Sequence, residues 1–189
     1  MEPVEIELVR RAQDGDSKAF EQLLEMHDRS VWQTAYHMLG NLQDTQDMYQ
    51  ETFMRAFDKI GTFRFQSSFK SWLLRITINL CINYRRRKRI VTWISIFADT
   101  DDEMVTQWID HQTLKPDDNM NQKELQNQIV HALDTLSPRE RAAFTLKQYQ
   151  GYKIREIAGI LNCAEGSVKN YLFRAMNKMR AGLAPYLDS

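Results

Sequence analysis

The chain has 189 residues, 43% hydrophobic and 26% charged, a globular composition with material for one ordinary domain or two small ones. That balance excludes collagen-like, disordered and disulfide-scaffold chains, and only seven Gly and four Pro favour long helices over the many tight turns of a β-sandwich. The formal net charge of zero conceals a segregation: 6 Lys/Arg against 12 Asp/Glu in residues 1–59, 8 against none in 60–98, 1 against 7 in 99–118, and 10 against 6 in 119–189. Two basic zones separated by an acidic stretch point to two polyanion-facing surfaces, with nucleic acid the leading partner class.

The amino terminus, MEPVEIELVRRAQDGD, is acidic where a secretory signal is basic and then apolar. No run approaches the ~18 apolar residues of a membrane helix. The expectation is a cytoplasmic protein with no membrane insertion. From Ala19 to Leu39 the residues Phe20, Leu23, Leu24, Val31, Ala35, Met38 and Leu39 recur at three- and four-residue steps, which predicts a helix with one buried stripe, ended by Gly40-Asn41. The next helix, from about Gln43 to Ile60, puts Tyr49, Thr52, Phe53, Ala56, Phe57 and Ile60 on an inner face. Asp47, Glu51, Met54 and Asp58 fall on a second, available face.

A loop from Gly61 to Ser68 leads to a helix from Phe69 to about Arg89, with Leu73, Ile76, Leu80 and Tyr84 as its inner stripe and Trp72, Arg75, Asn79, Asn83 and Arg86 beside it. Phe63, Phe65, Phe69 and Trp72 stand within ten positions, interleaved with Arg64 and Lys70. Aromatic platforms beside cations suit single-stranded DNA, because each unstacked base gains about 1–3 kcal/mol on a ring. Phe69 reads as core, whereas Phe63 and Phe65, in a loop with Gly and Ser, are expected to be exposed. The run Arg85-Arg86-Arg87-Lys88-Arg89 has a plainer reading as a solvated helix end favoured by the helix dipole.

Residues 91–118 have no sustained period and contain Lys115-Pro116-Asp117-Asp118, so they read as a linker. Its apolar start, VTWISIF, is compatible with a short strand, a packing segment or a docking peptide. Helical period returns at Leu125, Ile129, Ala132, Leu133 and Leu136, and Ser137-Pro138-Arg139-Glu140 is a helix start with Ser at the cap and Glu at the third position. KIREIAGILNCAEGSVKNYLFRAMNKMR then has helix-turn-helix spacing, with the turn around Asn162 to Ala164 and a second helix from Glu165 to about Arg180. Ile154, Ile157, Ala158 and Leu161 can meet Val168, Leu172, Ala175 and Met179. Lys169, Asn170, Phe173 and Asn177, with Arg174 alongside, face outward, the residue types that read base edges and phosphates in a major groove. Arg139, Arg141, Lys153 and Arg155 can hold the backbone.

Cys81 and Cys163 lie in helical patterns and read as buried reduced thiols. His27, His37, His111 and His131 show no metal-ligand spacing, and neither HExxH nor a Gly-rich phosphate loop is present. No metal, cofactor or catalytic residue is expected. A DNA-binding regulator with an amino-terminal sensing half remains an alternative on these residues.

DTQDMYQETFMRAF, FKSWLLRITINLCINYRRRKR and LSPRERAAFTLKQYQGYKIREIAGILNCAEGSVKNYLFRA resemble, in that order, regions 2.2, 2.3/2.4 and 4 of the bacterial extracytoplasmic-function sigma factors, small members of the sigma-70 family. Asn83 stands where the family usually has Asp, Ser167 and Asn170 depart mildly from its region 4 pattern, and Tyr171 replaces a common Arg. The resemblance implies an all-α fold of two small helical domains, residues 1–90 and 119–189, joined by the acidic linker 91–118. It implies core RNA polymerase as partner, through the β′ clamp helices and the β flap, with Asp44, Asp47, Gln50, Glu51 and Met54 at the contact. It implies promoter DNA as the second partner. Phe63, Arg64, Phe65, Lys70, Trp72, Arg75, Asn79, Asn83 and Arg86 would take the opened -10 element. Arg139, Arg141, Lys153, Glu165, Ser167, Lys169, Asn170, Phe173 and Arg174 would take the duplex -35 element. An anti-sigma factor is a further implied partner.

Overall fold

A computed structural model of the chain describes residues 2–97 and 128–187. Among the described residues all regular structure is helical. The helices are α1 (Pro3–Gln13), α2 (Ser17–Leu39), α3 (Leu42–Lys59), α4 (Phe69–Phe97), α5 (128–134), α6 (Pro138–Gln148), α7 (Ile154–Leu161) and α8 (Glu165–Leu187), with a 3-10 turn at Ile60–Thr62.

The boundaries have local causes. The Asp16 carboxylate accepts hydrogen bonds from the backbone N–H groups of Lys18 and Ala19 at 3.0 and 3.1 Å and so starts α2; such a cap contributes about 1 kcal/mol. Gly40, at φ 82°, ends it in the left-handed region. Asn41 accepts from the Asp44 N–H at 2.8 Å and starts α3. At α6 the predicted capping box forms in full: Ser137 Oγ accepts from the Glu140 N–H at 3.3 Å, and the Glu140 carboxylate accepts from the Ser137 N–H at 2.9 Å. Asn162, at φ 49°, makes the turn between α7 and α8.

Helices α2 and α4 form the centre of the first bundle, with α1 and α3 packed on α2 and α3 also on α4. Helices α6, α7 and α8 pack on one another, and the two bundles meet, α6 against α2 and α4, and α7 against α4. The core is therefore continuous across both, running from Leu23, Val31, Met38, Leu73, Leu74 and Ile78 to Leu146, Ile157 and Val168. Ala132, Leu133 and Leu136 form a smaller cluster with Phe144, Ala175 and Met179.

The structure adds to and changes the sequence expectations. Helix α1 escapes the pattern reading because Glu5 lies on its inner side with Leu8, Val9 and Ala12; its carboxylate is buried against His27 Nε2 at 2.8 Å. Helix α4 continues to Phe97, so VTWISIF is helical. Phe57 is exposed, its ring edge-on to that of Phe20 at 5.2 Å between centroids. Cys81 is buried, its thiol pKa pushed up to about 12 by burial, but Cys163 is only half-buried. Leu125 and the acidic segment from residue 98 lie outside the described residues.

Candidate nucleic-acid interface

The loop between α3 and α4 is pinned from behind by α1. Gln13 Nε2 donates to the carbonyls of Ile60 and Phe63 at 3.0 and 2.8 Å. Phe63 is thereby drawn inward to 4% exposure, contrary to the expectation from its loop composition. Its ring lies 5.8 Å from Phe69, 5.5 Å from Trp72 and 5.1 Å from Phe65. Phe63 is thus the hub of an aromatic floor on which the half-buried Trp72 and the exposed Phe65 rest. Phe65 takes φ 57°, a region uncommon for a bulky residue, which sends its ring back over the floor. Arg64 is exposed beside it.

Along α4, Arg75, Asn79, Asn83 and Arg86 are all exposed. The amino-terminal part of that face has company from α7 and the loop before it. Lys70 Nζ lies 5.9 Å from the centroid of the Tyr152 ring, the Ser71 and Tyr152 hydroxyls are 3.2 Å apart, and Arg75 donates to the Gly159 carbonyl at 2.5 Å. Asn79, Asn83 and Arg86 lie further along the helix.

On α3, Asp47, Gln50 and Met54 are exposed, with Met54 at 64%. Glu51 is half-buried and paired with Arg55 at 2.6 Å. Phe57 and Asp58 extend this surface; Phe57 was missed because its spacing matches the inner stripe. Asp44, at the start of α3, is half-buried. Its carboxylate accepts from Tyr84 at 2.6 Å, Asn41 at 2.7 Å and Lys88 at 3.1 Å. Burial pushes its pKa up, but those hydrogen bonds outweigh burial and hold it below the usual carboxylate range. Asp44 ties α3 to α4 through these bonds.

On α8, Lys169, Asn170, Phe173 and Arg174 are exposed, Phe173 at 67%, with Glu165 exposed and Ser167 half-buried at the helix start. Arg139 and Lys153 are exposed as well. Arg141 departs from expectation: it is 0% exposed. Its Nε donates to the His37 carbonyl at 2.6 Å and its Nη1 to Asp134 at 2.5 Å, so in this arrangement it reaches no phosphate. His37, Tyr149 and Tyr152 were not anticipated; the paired tyrosines around Gly151 in YQGY were the available signal. Among the described residues no group of three His, Cys, Asp or Glu side chains is placed to hold a metal, and no helix is long and apolar enough to cross a membrane.

Residues 23–90 match the family model for Sigma-70 region 2, and residues 126–179 that for Sigma-70, region 4. The chain is 30% identical over 176 residues to the ECF RNA polymerase sigma factor SigW of Bacillus subtilis, covering 93% of this chain and 94% of that protein. The chain belongs to the extracytoplasmic-function sigma factors. It is also similar to the RNA polymerase sigma-H factor of Pseudomonas aeruginosa, at 28% identity over 96% of this chain and 94% of that one. Its fold resembles CnrH solved with the cytosolic domain of CnrY, at TM-score 0.69 and 21% identity over 97% of this chain and 99% of that one. It also resembles RpoE of Bartonella quintana solved with the anti-sigma factor NepR, at TM-score 0.66 and 23% identity over 88% and 98%. This sigma factor, a transcription initiation factor by family, carries its two family regions on the two helical bundles, α2 to α4 and α5 to α8.

Proposed function

We propose that this sigma factor docks on core RNA polymerase through the outer face of α3, captures opened -10 bases on α4 and its aromatic floor, and reads the duplex -35 element with α8. Asp47, Gln50, Glu51 and Met54 form the docking stripe, with Phe57 added to it. Phe65 and Trp72 supply rings for stacking, Arg64, Lys70, Arg75 and Arg86 hold phosphates, and Asn79 and Asn83 offer amides to base edges. Melting costs a few kcal/mol per unstacked step and each stacked base returns about 1–3 kcal/mol. A two-ring platform therefore sustains a local opening and needs the polymerase for a longer one. Lys169, Asn170, Phe173 and Arg174 reach base edges and the thymine methyl in the major groove, while Arg139, Lys153 and the start of α8 around Glu165 and Ser167 fix register on the backbone.

The chain itself performs no catalysis under this reading; RNA synthesis belongs to the polymerase, in the cytoplasm. The likeness to RpoE of Bartonella quintana, solved with the anti-sigma factor NepR, supports the same kind of partner here. In this reading residues 1–90 are the polymerase and -10 unit, 91–118 the linker and 119–189 the -35 unit. The observation that carries the reading is one chain with three separate exposed faces: acidic and apolar on α3, basic and amide-bearing over aromatic rings on α4, and basic, amide-bearing and aromatic on α8.

Transcription of fragmented genomic DNA by purified core polymerase, with and without the chain, tests it. The expected result is a set of 5′ ends that appears only with the chain and shares two motifs upstream. Identical ends in both reactions would overturn it, and a specific shift of duplex DNA by the chain without polymerase would favour the regulator instead.

A further inference from the structure

Helix α1 carries none of the residues assigned to the three faces, yet one of its side chains holds the loop before α4. The helix is fixed on α2: Leu8, Val9 and Ala12 are buried, and the Glu5 carboxylate is joined to His27 Nε2 at 2.8 Å. The His27 ring in turn lies 5.6 Å from that of Phe69, a ring of the aromatic floor. At the other end of α1 stands Gln13, its last residue, half-buried. It meets two carbonyls, of Ile60 and Phe63. A carbonyl only accepts and a carboxamide nitrogen has two N–H donors, so this pair requires Nε2 to face the loop.

The two bonds act on different parts of the loop. The Ile60 carbonyl also accepts from the Phe63 N–H at 3.0 Å, so Gln13 reinforces the 3-10 turn. The Phe63 carbonyl belongs to the peptide unit that leads into Arg64, and holding it orients the plane from which Arg64 and Phe65, at φ 57°, depart. Among the described residues no other side chain from outside the loop hydrogen-bonds the backbone of residues 60–66. Arg64, Phe65 and Gln66 are exposed. Stacking on Phe65 holds any base, because every base has a π-face. Identity must come from polar groups set against the edge of the captured base, here those of Arg64 and Gln66. Such a site discriminates strongly only while its groups are held to within about 0.5 Å.

We infer that Gln13 is a positioning residue that sets base discrimination in this loop, acting through the Phe63–Arg64 peptide and touching no DNA itself. The inference rests on the function proposed for α4 and its loop. Removing the two donors leaves the rings, and with them the capacity to stack a base. It loosens the polar groups that choose which base is stacked.

The test uses full-length chains with core polymerase. Gln13→Leu removes both donors, and Gln13→Asn keeps a polar amide one methylene short of the carbonyls. The template is a promoter at which the wild-type chain starts transcription, with each position of the -10 and -35 elements varied singly to all four bases and transcript yields read in competition. The expected result is a wild-type preference at one -10 position that flattens by about tenfold in both variants, with every other position unchanged within about twofold. Hydrogen exchange should quicken over residues 61–66 and stay slow in α2. A selective wild-type chain with equally selective variants would overturn the assignment of Gln13 alone. An even loss at all positions, or exchange quickened through α2 in both variants, would also overturn it, by making Gln13 a residue of the fold only. A wild-type chain that directs no start sites would sink the proposed function and this inference with it.

Discussion

The α4 face and the α8 face share a chemistry, cations and amides beside an exposed ring, yet they differ in how they are held. Helix α8 keeps Lys169, Asn170, Phe173 and Arg174 exposed to water. Helix α4 has the start of its face engaged by Tyr152 and the Gly159 carbonyl, and its aromatic floor is locked by Phe63 and Gln13. A surface that reads intact duplex can be left open, because the duplex presents its edges without rearrangement. A surface that traps unstacked bases needs a rigid ring platform, and rings and cations left fully open would bind any single strand through sequence-independent stacking and charge.

The largest break in this comparison is expected from Phe69→Ala. Phe69 is fully buried and its ring supports Phe63, Trp72 and His27. Truncating such a ring costs about 3–5 kcal/mol, so the urea midpoint should fall sharply and single-strand binding should be lost before duplex binding. Equal losses on both probes would show that the two faces are not separately supported. Next in size is Arg174→Ala or Lys169→Ala, expected to cost about 1–3 kcal/mol in binding through the upstream element alone. Transcription from a template lacking that element should not change, and an equal loss there would remove α8 from the reading.

Glu51→Lys should weaken association with core polymerase by about tenfold through like-charge contact at the docking face. Thermal unfolding should barely move, since the Arg55 partner is four residues away on an exposed helix surface and such a pair is worth about 0.3–0.5 kcal/mol. The smallest effect is a pH response of the contact between the two bundles. Burial, with Arg141 beside it, lowers the His37 pKa from 6.5 to about 4. The folded arrangement therefore favours the neutral ring, so this contribution is fully present above pH 6.5 and is lost as pH falls toward 4. The groups facing the ring are Arg141 and Tyr149, with Tyr36 on its own helix. The thermal midpoint should fall between pH 7 and 4.5 in the wild-type chain and fall less in His37→Phe, which keeps the stack without the titration. A matching drop in His37→Phe would assign the response to other groups.

Much of this architecture is legible in the sequence because local chemistry decides it. The Ser137 and Glu140 capping box, the Gly40 stop and the Asn162 turn depend on neighbours within four residues. The exposed faces of α3 and α8 follow from helical period, and Phe57 marks its limit: a residue at the correct angle still needs a neighbour to cover it. Other failures are long-range. Nothing near Phe63 in the chain indicates that Gln13, fifty residues earlier, turns it inward. Nothing near Arg141 indicates that the end of α2 supplies a carbonyl to bury it, and a cation in a basic segment reads as exposed by default. Asp44 fits a family pattern by position, and its carboxylate is in addition engaged by Tyr84 and Lys88, some forty residues away, which no local pattern indicates.

The comparison of an open α8 face with a partly covered α4 face comes to one measurement: energy transfer between α2 and α8 in the full chain, dye-labelled on both helices, as core RNA polymerase is added. The account predicts high transfer in the free chain and a saturable fall to a low-transfer state on binding, as the two bundles part to reach separated promoter elements. A polymerase complex that starts at chain-dependent sites while transfer stays high would contradict it.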